Sequence, residues 1–506
     1  MQDSAPLVRS NAVDASQITE AQASARAKRR ADAIKHSLQP VPAKRSSLLL
    51  PALRVLAGLR FDRAAPLEDT QADVLLGVML LTGCHPEEVR DVRIWKTESS
   101  AKSPDKFAII LDSKKFRIPV RPITEGWKPG VDEAHLYRKT QDHFFVSIPT
   151  KLPVARLVLD YGLARHKGEI ESSWPTDPDD IKQLLKARLK TLNDQFHLSL
   201  TPVRVSGYLS SAVYALDGDA ADALLLTGSR ADKNDSRSFY YSPSTAHLEA
   251  VYDAIWERLY SSLHLSALPR RRRVSSTHQC NCMCAGSQGV PKSEVLREIL
   301  FKLDSAIRNA PIGRGSRVAA KKYHNLVTAA LSTQVLWMTG IRPARDVIEY
   351  RNYDASTGFL AVRDKDNEDE STVRLVYLIP ELQAQIEAYD QHLRRLAERF
   401  EVDPDDLAFR VIVKARSGSE FRIRELEAHT GVKYPIRPNS HRHFLRTRLR
   451  EKGVDGAYVD GLLGHGGIAG EVHGSFSAIA PGDIQRATST PISELYREIE
   501  LRPVFK

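Results

Sequence analysis

Ser440-His441-Arg442-His443-Phe444-Leu445-Arg446, followed by Leu462-Leu463-Gly464-His465, is the stretch on which the reading of this chain turns. His443 and Arg446 stand three apart, so on a helix they project from one face. Ser440 suits the N-cap of that helix and Gly453 suits its stop. A histidine beside an arginine near a helix N-terminus makes a site for one cluster of anionic oxygens, with a proton donor next to it. Upstream, Thr339-Gly340-Ile341-Arg342-Pro343 offers a second arginine at a helix-to-helix corner.

Around this stretch the second half of the chain reads as helix, hairpin, then helices. A helix is expected from about Val318 to Met338, ending at Gly340, with Pro343 opening the next. Gly358 to Arg363 and Thr372 to Ile379 read as strands joined by the polar turn Asp364 to Glu370. Pro380 then starts a long amphipathic helix to about Phe400, with Leu382, Ile386, Tyr389, Leu393 and Leu396 at helical spacing.

Together these residues resemble the tyrosine recombinase (phage integrase) family. The resemblance implies a mainly α fold with a small β-hairpin or sheet, the integrase-type DNA breaking–rejoining catalytic fold. It implies DNA strand cleavage and rejoining without cofactor, metal or nucleotide, because a phosphotyrosine bond conserves the phosphodiester energy. On it, Arg342 and Arg446 grip the non-bridging oxygens of the scissile phosphate, for which guanidinium offers bidentate geometry. His443 serves as acid/base or hydrogen-bond donor, and His465, at the head of a following helix, donates to the phosphate. Lys365 in the hairpin turn is the proton source for the leaving 5′-oxygen, although Asp364, Asp366, Glu368, Asp369 and Glu370 surround it and offer surface ion pairs instead. Arg345 with Asp346 is likewise an alternative to Arg342.

The family's nucleophilic tyrosine is missing from its usual window, Val472-His473-Gly474-Ser475-Phe476-Ser477. Phe476 fills the slot, with the aromatic ring kept and the hydroxyl gone. Ser475 and Ser477 flank it, but a serine needs a base that a pocket built of cations lacks. Tyr240, Tyr241 and Tyr496 are the tyrosines left to act from elsewhere in the chain.

The first half echoes the second. Thr82-Gly83-Cys84-His85-Pro86 matches Thr339-Gly340-Ile341-Arg342-Pro343, each after an apolar helix. Pro202 to Ser242 lies on Pro438 to Ala478 without a gap, at one offset of 236 (438 − 202 and 464 − 228). Pro202, Leu209, Asp219, Ala221, Leu226 and Gly228 then face identical residues, and Tyr208 faces Phe444. Such an order of landmarks points to an ancient duplication, a tandem of two recombinase-like domains. The first copy lacks the chemistry: His85, Gly207, Ser210 and Ser229 stand where the second has Arg342, His443, Arg446 and His465. It reads as a structural or DNA-holding copy.

Composition sets the outer bounds. At 506 residues the chain has room for two cores, and a net charge of +10 is a weak pointer to nucleic acid. Its clustering says more, in Lys28-Arg29-Arg30, in Lys44-Arg45, and in the run Arg270, Arg271, Arg272 and Arg273. That run and Arg442 are expected to contact the DNA backbone. The expected organisation is a basic mobile tail over 1–45, a degenerate recombinase-like domain over 46–265, an exposed Arg/Cys-rich linker over 266–292, and the catalytic-like domain over 293–506. Four cysteines make no disulfide framework, and no run approaches the roughly 20 apolar residues of a membrane span. The expected setting is therefore cytoplasmic and nucleoid-associated. Cys280, Cys282 and Cys284, with His278, alternate too tightly for the usual paired zinc ligands and read as reduced thiols in the linker.

Two functions follow from the resemblance. One is site-specific recombination or integration of a mobile element, acting on double-stranded DNA alone or with other recombinase subunits. The other is a catalytically silent relative that grips DNA as an accessory or regulatory protein.

Overall fold

Two hydrophobic clusters, one per half, organise the chain. The computed structural model describes residues 48–505, apart from 49, 63, 99–105, 122–127, 168–176, 218, 229–238, 264–282, 311–315, 343–351, 364–372, 415–416 and 466–478. The tail, Arg270 to Arg273, Cys280, Cys282, Lys365 with its turn, and Ser475, Phe476 and Ser477 lie outside the described residues.

In the first half, α1 (Leu50–Ala57) precedes α2 (Leu67–Thr82). Four strands follow in one sheet ordered β1-β2-β3-β5: β1 (Arg93–Trp95), β2 (Ala108–Ile110), β3 (Lys115–Pro119) and, after the short β4 (Thr140–Gln141), β5 (His143–Ser147). A proline opens α3 (Pro153–His166), and the half finishes with α4 (Pro178–Phe196), α5 (Pro202–Asp217), α6 (Ala220–Leu226) and α7 (Thr245–Leu263).

The second half begins with β6 (Cys284–Ala285), α8 (Ser293–Arg308) and α9 (Arg317–Thr339). An antiparallel sheet, β7 (Tyr353–Asp354), β8 (Phe359–Arg363) and β9 (Val373–Tyr377), leads to α10 (Pro380–Phe400), opened by proline as the sequence predicts. α11 (Pro404–Leu407), the hairpin β10 (Arg410–Lys414) and β11 (Ser417–Glu420), and α12 (Leu426–Thr430) come next. Last are α13 (Ser440–Glu451), α14 (Gly456–Leu463) and α15 (Pro481–Glu498). The molecule is thus mainly helical with small sheets. Leu382, Ile386, Tyr389, Leu393 and Leu396 of α10 are all buried, each apolar side chain contributing about 1.5–3 kcal/mol.

The halves share local devices as well as element order. α2 and α9 both stop at a left-handed glycine, Gly83 (φ 70°) and Gly340 (φ 64°). In each corner the threonine hydroxyl bonds back one turn, Thr82 to Val78 O and Thr339 to Val335 O, and then accepts an N–H from the residue after the glycine. A Cβ on Gly83 would strike Thr227 at 2.5 Å and approach Leu209; one on Gly340 would strike Leu463 at 2.2 Å and approach Leu445. Those neighbours are related by the same offset of 236 (463 − 227 and 445 − 209). Helices α6 and α14 start at that offset too, behind the N-caps Asp219 and Asp455, and so do α7 and α15 (481 − 245).

The expected exposed linker needs correction at its C-terminal end. β6 pairs in parallel with β4, Thr140 with Cys284 and Gln141 with Ala285. Arg138 N–H donates to Val290 O and Lys292 N–H to Leu136 O, while on the other side Thr245 N–H donates to Met283 O. Ala285 and Val290 are fully buried. Backbone groups of a buried segment must be hydrogen-bonded, and this strap finds its partners in both 136–141 and 241–245. Among the described residues no helix is long and apolar enough to cross a membrane.

Candidate anion site between the halves

Helix α13 is the centre of the site. It begins at Ser440 as predicted, but its N-cap is Asn439, and that residue makes no side-chain cap bond. Gly453 (φ 78°) follows its end, and Gly453 N–H closes on Arg450 O. Arg442, Arg446 and Arg450 stand four apart, a stripe on one face. All three are buried, Arg442 and Arg446 with 0% exposure.

Arg442, expected to bind nucleic acid, thus lies inside the protein and not on its surface. Its guanidinium donates to Gly340 O at 2.5 Å, to Leu463 O at 2.7 Å and to His465 Nε2 at 2.8 Å. It therefore ties the Thr-Gly corner and the end of α14 to α13. The two carbonyls are C-terminal helix groups without intrahelical partners, which a buried cation satisfies well.

His465 follows α14, where Gly464 turns left-handed (φ 64°) and His465 N–H closes on Asp460 O, and the expected helix after it lies outside the described residues. Arginine can only donate, so His465 Nε2 accepts from Arg442 and the ring proton is on Nδ1. Among the described residues that buried Nδ1 has no hydrogen-bond partner, and Asp460 Oδ1 lies 3.9 Å away. Burial first, then the charges of Arg442, Arg446, Arg374 and Arg342, hold the imidazole neutral, its pKa well below the usual range. Four arginines thus bear on one histidine.

Arg374 is one that sequence reasoning missed. Alternation along β9 puts it on the buried face with Val376, while the apolar Leu375 is 41% exposed. Its guanidinium donates to Leu462 O. Reading strand polarity by hydrophobicity points the wrong way here. Arg342, half-buried at the corner after Gly340, is near enough to act on His465.

The first half closes the site. Arg446 pairs with Asp460 of its own half and, at 3.4 Å, with Asp219, the N-cap of α6. Arg450 Nε lies 2.7 Å from Asp219 Oδ2, and its Nη2 lies 3.4 Å from Asp222 Oδ2. Burial works against the Arg446 charge, but Asp460 and Asp219 outweigh it and raise its pKa. Tyr240 stacks on His465 (centroids 4.8 Å apart, planes at 13°) and meets the edge of His443 at 4.6 Å. The Arg442 guanidinium lies 5.1 Å from the Tyr240 ring centre, and that of Arg446 lies 5.7 Å from Tyr241.

The strap completes the enclosure. Ser287 Oγ lies 2.6 Å from His443 Nδ1, and a Cβ at Gly289 would come within 2.9 Å of His443 Cε1, so only glycine lets the backbone lie on that ring. Burial, then His441 and Arg442, push the His443 pKa down to about 3. Both histidines are therefore neutral donors and acceptors at neutral pH, not charged acids. Ser242 N–H to Thr447 Oγ1 (3.1 Å) and the Arg138–Glu451 ion pair fasten the rim.

The structure brings together Arg342, His443, Arg446 and His465 of the sequence-predicted set. Asp219, Asp222, Asp460, Ser287 and Arg374 complete the arrangement. Chemically it is a buried, cationic cluster with a phenol ring against it, Arg446 and Arg450 held by carboxylates and Arg442 and Arg374 by helix-end carbonyls. Among the described residues no group of histidine, cysteine or acidic side chains could hold a metal. No protein-family model, curated protein or solved structure matches the chain.

Proposed function

We propose that this chain is a duplex-DNA-binding protein of the tyrosine recombinase type, working in site-specific recombination or integration of a mobile element, alone or beside partner recombinases. The observation that carries this reading is convergence. Arg342, Arg374 and the α13 pair Arg442 and Arg446 come from three separate segments and meet around the buried imidazole of His465. Fixed guanidinium groups in a buried site are the support a phosphorane needs, worth more there than in water. The repeated order of helix, glycine corner, sheet and helices in both halves supports an integrase-type fold in tandem.

A second reading has its own observation. Phe476 lacks the hydroxyl of the family nucleophile, and Asp219 already occupies Arg446. Both favour a silent relative that binds DNA as an accessory factor.

Duplex binding measured across a salt series tests both. With about six phosphates neutralised at about −0.9 each, the log–log slope should be about −5 or steeper. Arg342→Ala, at the half-buried corner, should weaken binding by about 1.5–3 kcal/mol, the range for a lost charge-assisted bond. A chain that ignores duplex DNA at low salt would contradict both readings.

A further inference from the structure

The geometry points to Tyr240, supplied by the first half, as the nucleophile of the second half's pocket. The inference rests on the reading of that pocket as a DNA-phosphate site. The offset of 236 holds on both sides of Tyr240: at the caps Asp219 and Asp455, at Gly228 and Gly464, and at the starts of α7 and α15 (481 − 245). Tyr240 therefore stands in the first half where Phe476 stands in the second (476 − 240). The first copy has kept the phenol and lost the cations; the second has kept the cations and lost the phenol.

The fold reunites them. The Tyr240 ring lies flat on His465 and edge-on to His443, with the Arg442 guanidinium 5.1 Å from its centre. The other candidates are worse placed. Tyr241 is 2% exposed, and its carbonyl is bonded to Ser287 N–H. Tyr496 lies in the second core, where burial and then Glu381 lift its hydroxyl to about 12, the wrong direction for a phenolate.

The step balances without a further reactant. Tyr240 Oη attacks the phosphorus, an Oη–P bond forms and the P–O5′ bond breaks. The proton lost by the phenol ends on the departing 5′-oxygen, which leaves as a hydroxyl. His465 Nδ1–H, buried and without a hydrogen-bond partner among the described residues, supplies a donor for a phosphoryl oxygen. Attack of a 5′-hydroxyl on the 3′-phosphotyrosine reverses the step and rejoins the strand. The incoming phosphate takes the place of Asp219 as the second anion on Arg446.

The test uses the full chain and a pool of nicked duplexes of randomised sequence, which trap any 3′-phosphotyrosyl adduct when the short 5′-fragment is lost. Denaturing gels detect the adduct and mass spectrometry maps it, while duplex binding is measured on the same samples. The expected result is an adduct on Tyr240, absent from Tyr240→Phe, with the unfolding midpoint of that variant measured as a fold control. Phe476→Tyr in the Tyr240→Phe background serves as a second variant, and a restored adduct there would show that the pocket itself survived. An adduct mapped to any other residue of the wild-type chain overturns the inference. Duplex binding without any adduct also overturns it and leaves the DNA-binding reading standing. Absence of duplex binding removes the reading beneath both.

Discussion

Asp219 and Asp455 cap equivalent helices, α6 and α14, and each accepts an N–H from two residues on, at 2.8 and 2.9 Å. Asp455 does this in solvent, whereas Asp219 is buried and faces Arg446 and Arg450 of the other half. The frames of the two copies are kept by backbone devices: an N-cap carboxylate, a left-handed glycine, a threonine that back-bonds one turn. Their electrostatics have diverged completely. Where α13 carries Arg442, His443, Arg446 and Arg450, α5 carries Ser206, Gly207, Ser210 and Tyr214. The first half supplies Asp219 and Asp222 and the second the arginines, and the site exists only where they meet.

Truncating the two aspartates should separate these roles. Asp219→Ala leaves Arg446 and Arg450 short of a buried counter-ion, and breaking a buried pair in this way costs about 3–5 kcal/mol. Asp455→Ala loses only a cap, about 1 kcal/mol. Urea unfolding of both variants checks the contrast, and equal losses would mean that the interface charge contributes nothing beyond capping.

A smaller effect should appear in acid. The folded His443 pKa, about 3, lies below the unfolded value of about 6.5, so the unfolded chain binds the extra proton. Its contribution is fully present above about pH 6.5 and is lost as pH falls toward 3. His443→Gln should remove about 1.4 kcal/mol of the wild-type stability loss between about pH 7.5 and about pH 5.5. His324 and His392, stacked in the second core and held down to about 3 and about 4 by burial, should sustain the remaining acid sensitivity. The first half has no comparably lowered histidine among its described residues, so acid should loosen the second half first.

Much of this was legible in the sequence because it is local. Glycine at a helix end and proline at a helix start announce themselves by residue type, and the gapless offset followed from Pro202 and Gly228 facing Pro438 and Gly464. The convergence of Arg342, His443, Arg446 and His465 was legible only through the resemblance. What escaped was set by packing across the halves. Arg442 reads as a surface cation, yet the i, i+4, i+8 stripe with Arg446 and Arg450 was a signal that one whole face needed partners. Nothing in the strap 283–292 announces that Ser287 and Gly289 will lie on His443, since that contact depends on a segment distant in sequence. Arg374 escaped because its strand turns a charge inward and a leucine outward.

The central claim is that one site is shared by both halves, and a double-mutant cycle on Asp219 and Arg446 tests it most directly. Unfolding free energies of Asp219→Ala, Arg446→Ala and the double variant give the coupling between residues 227 positions apart. The account predicts at least about 1.5 kcal/mol of coupling, as residues of one buried ionic network show. Additivity within about 0.5 kcal/mol, the behaviour of sites that do not touch, would contradict it.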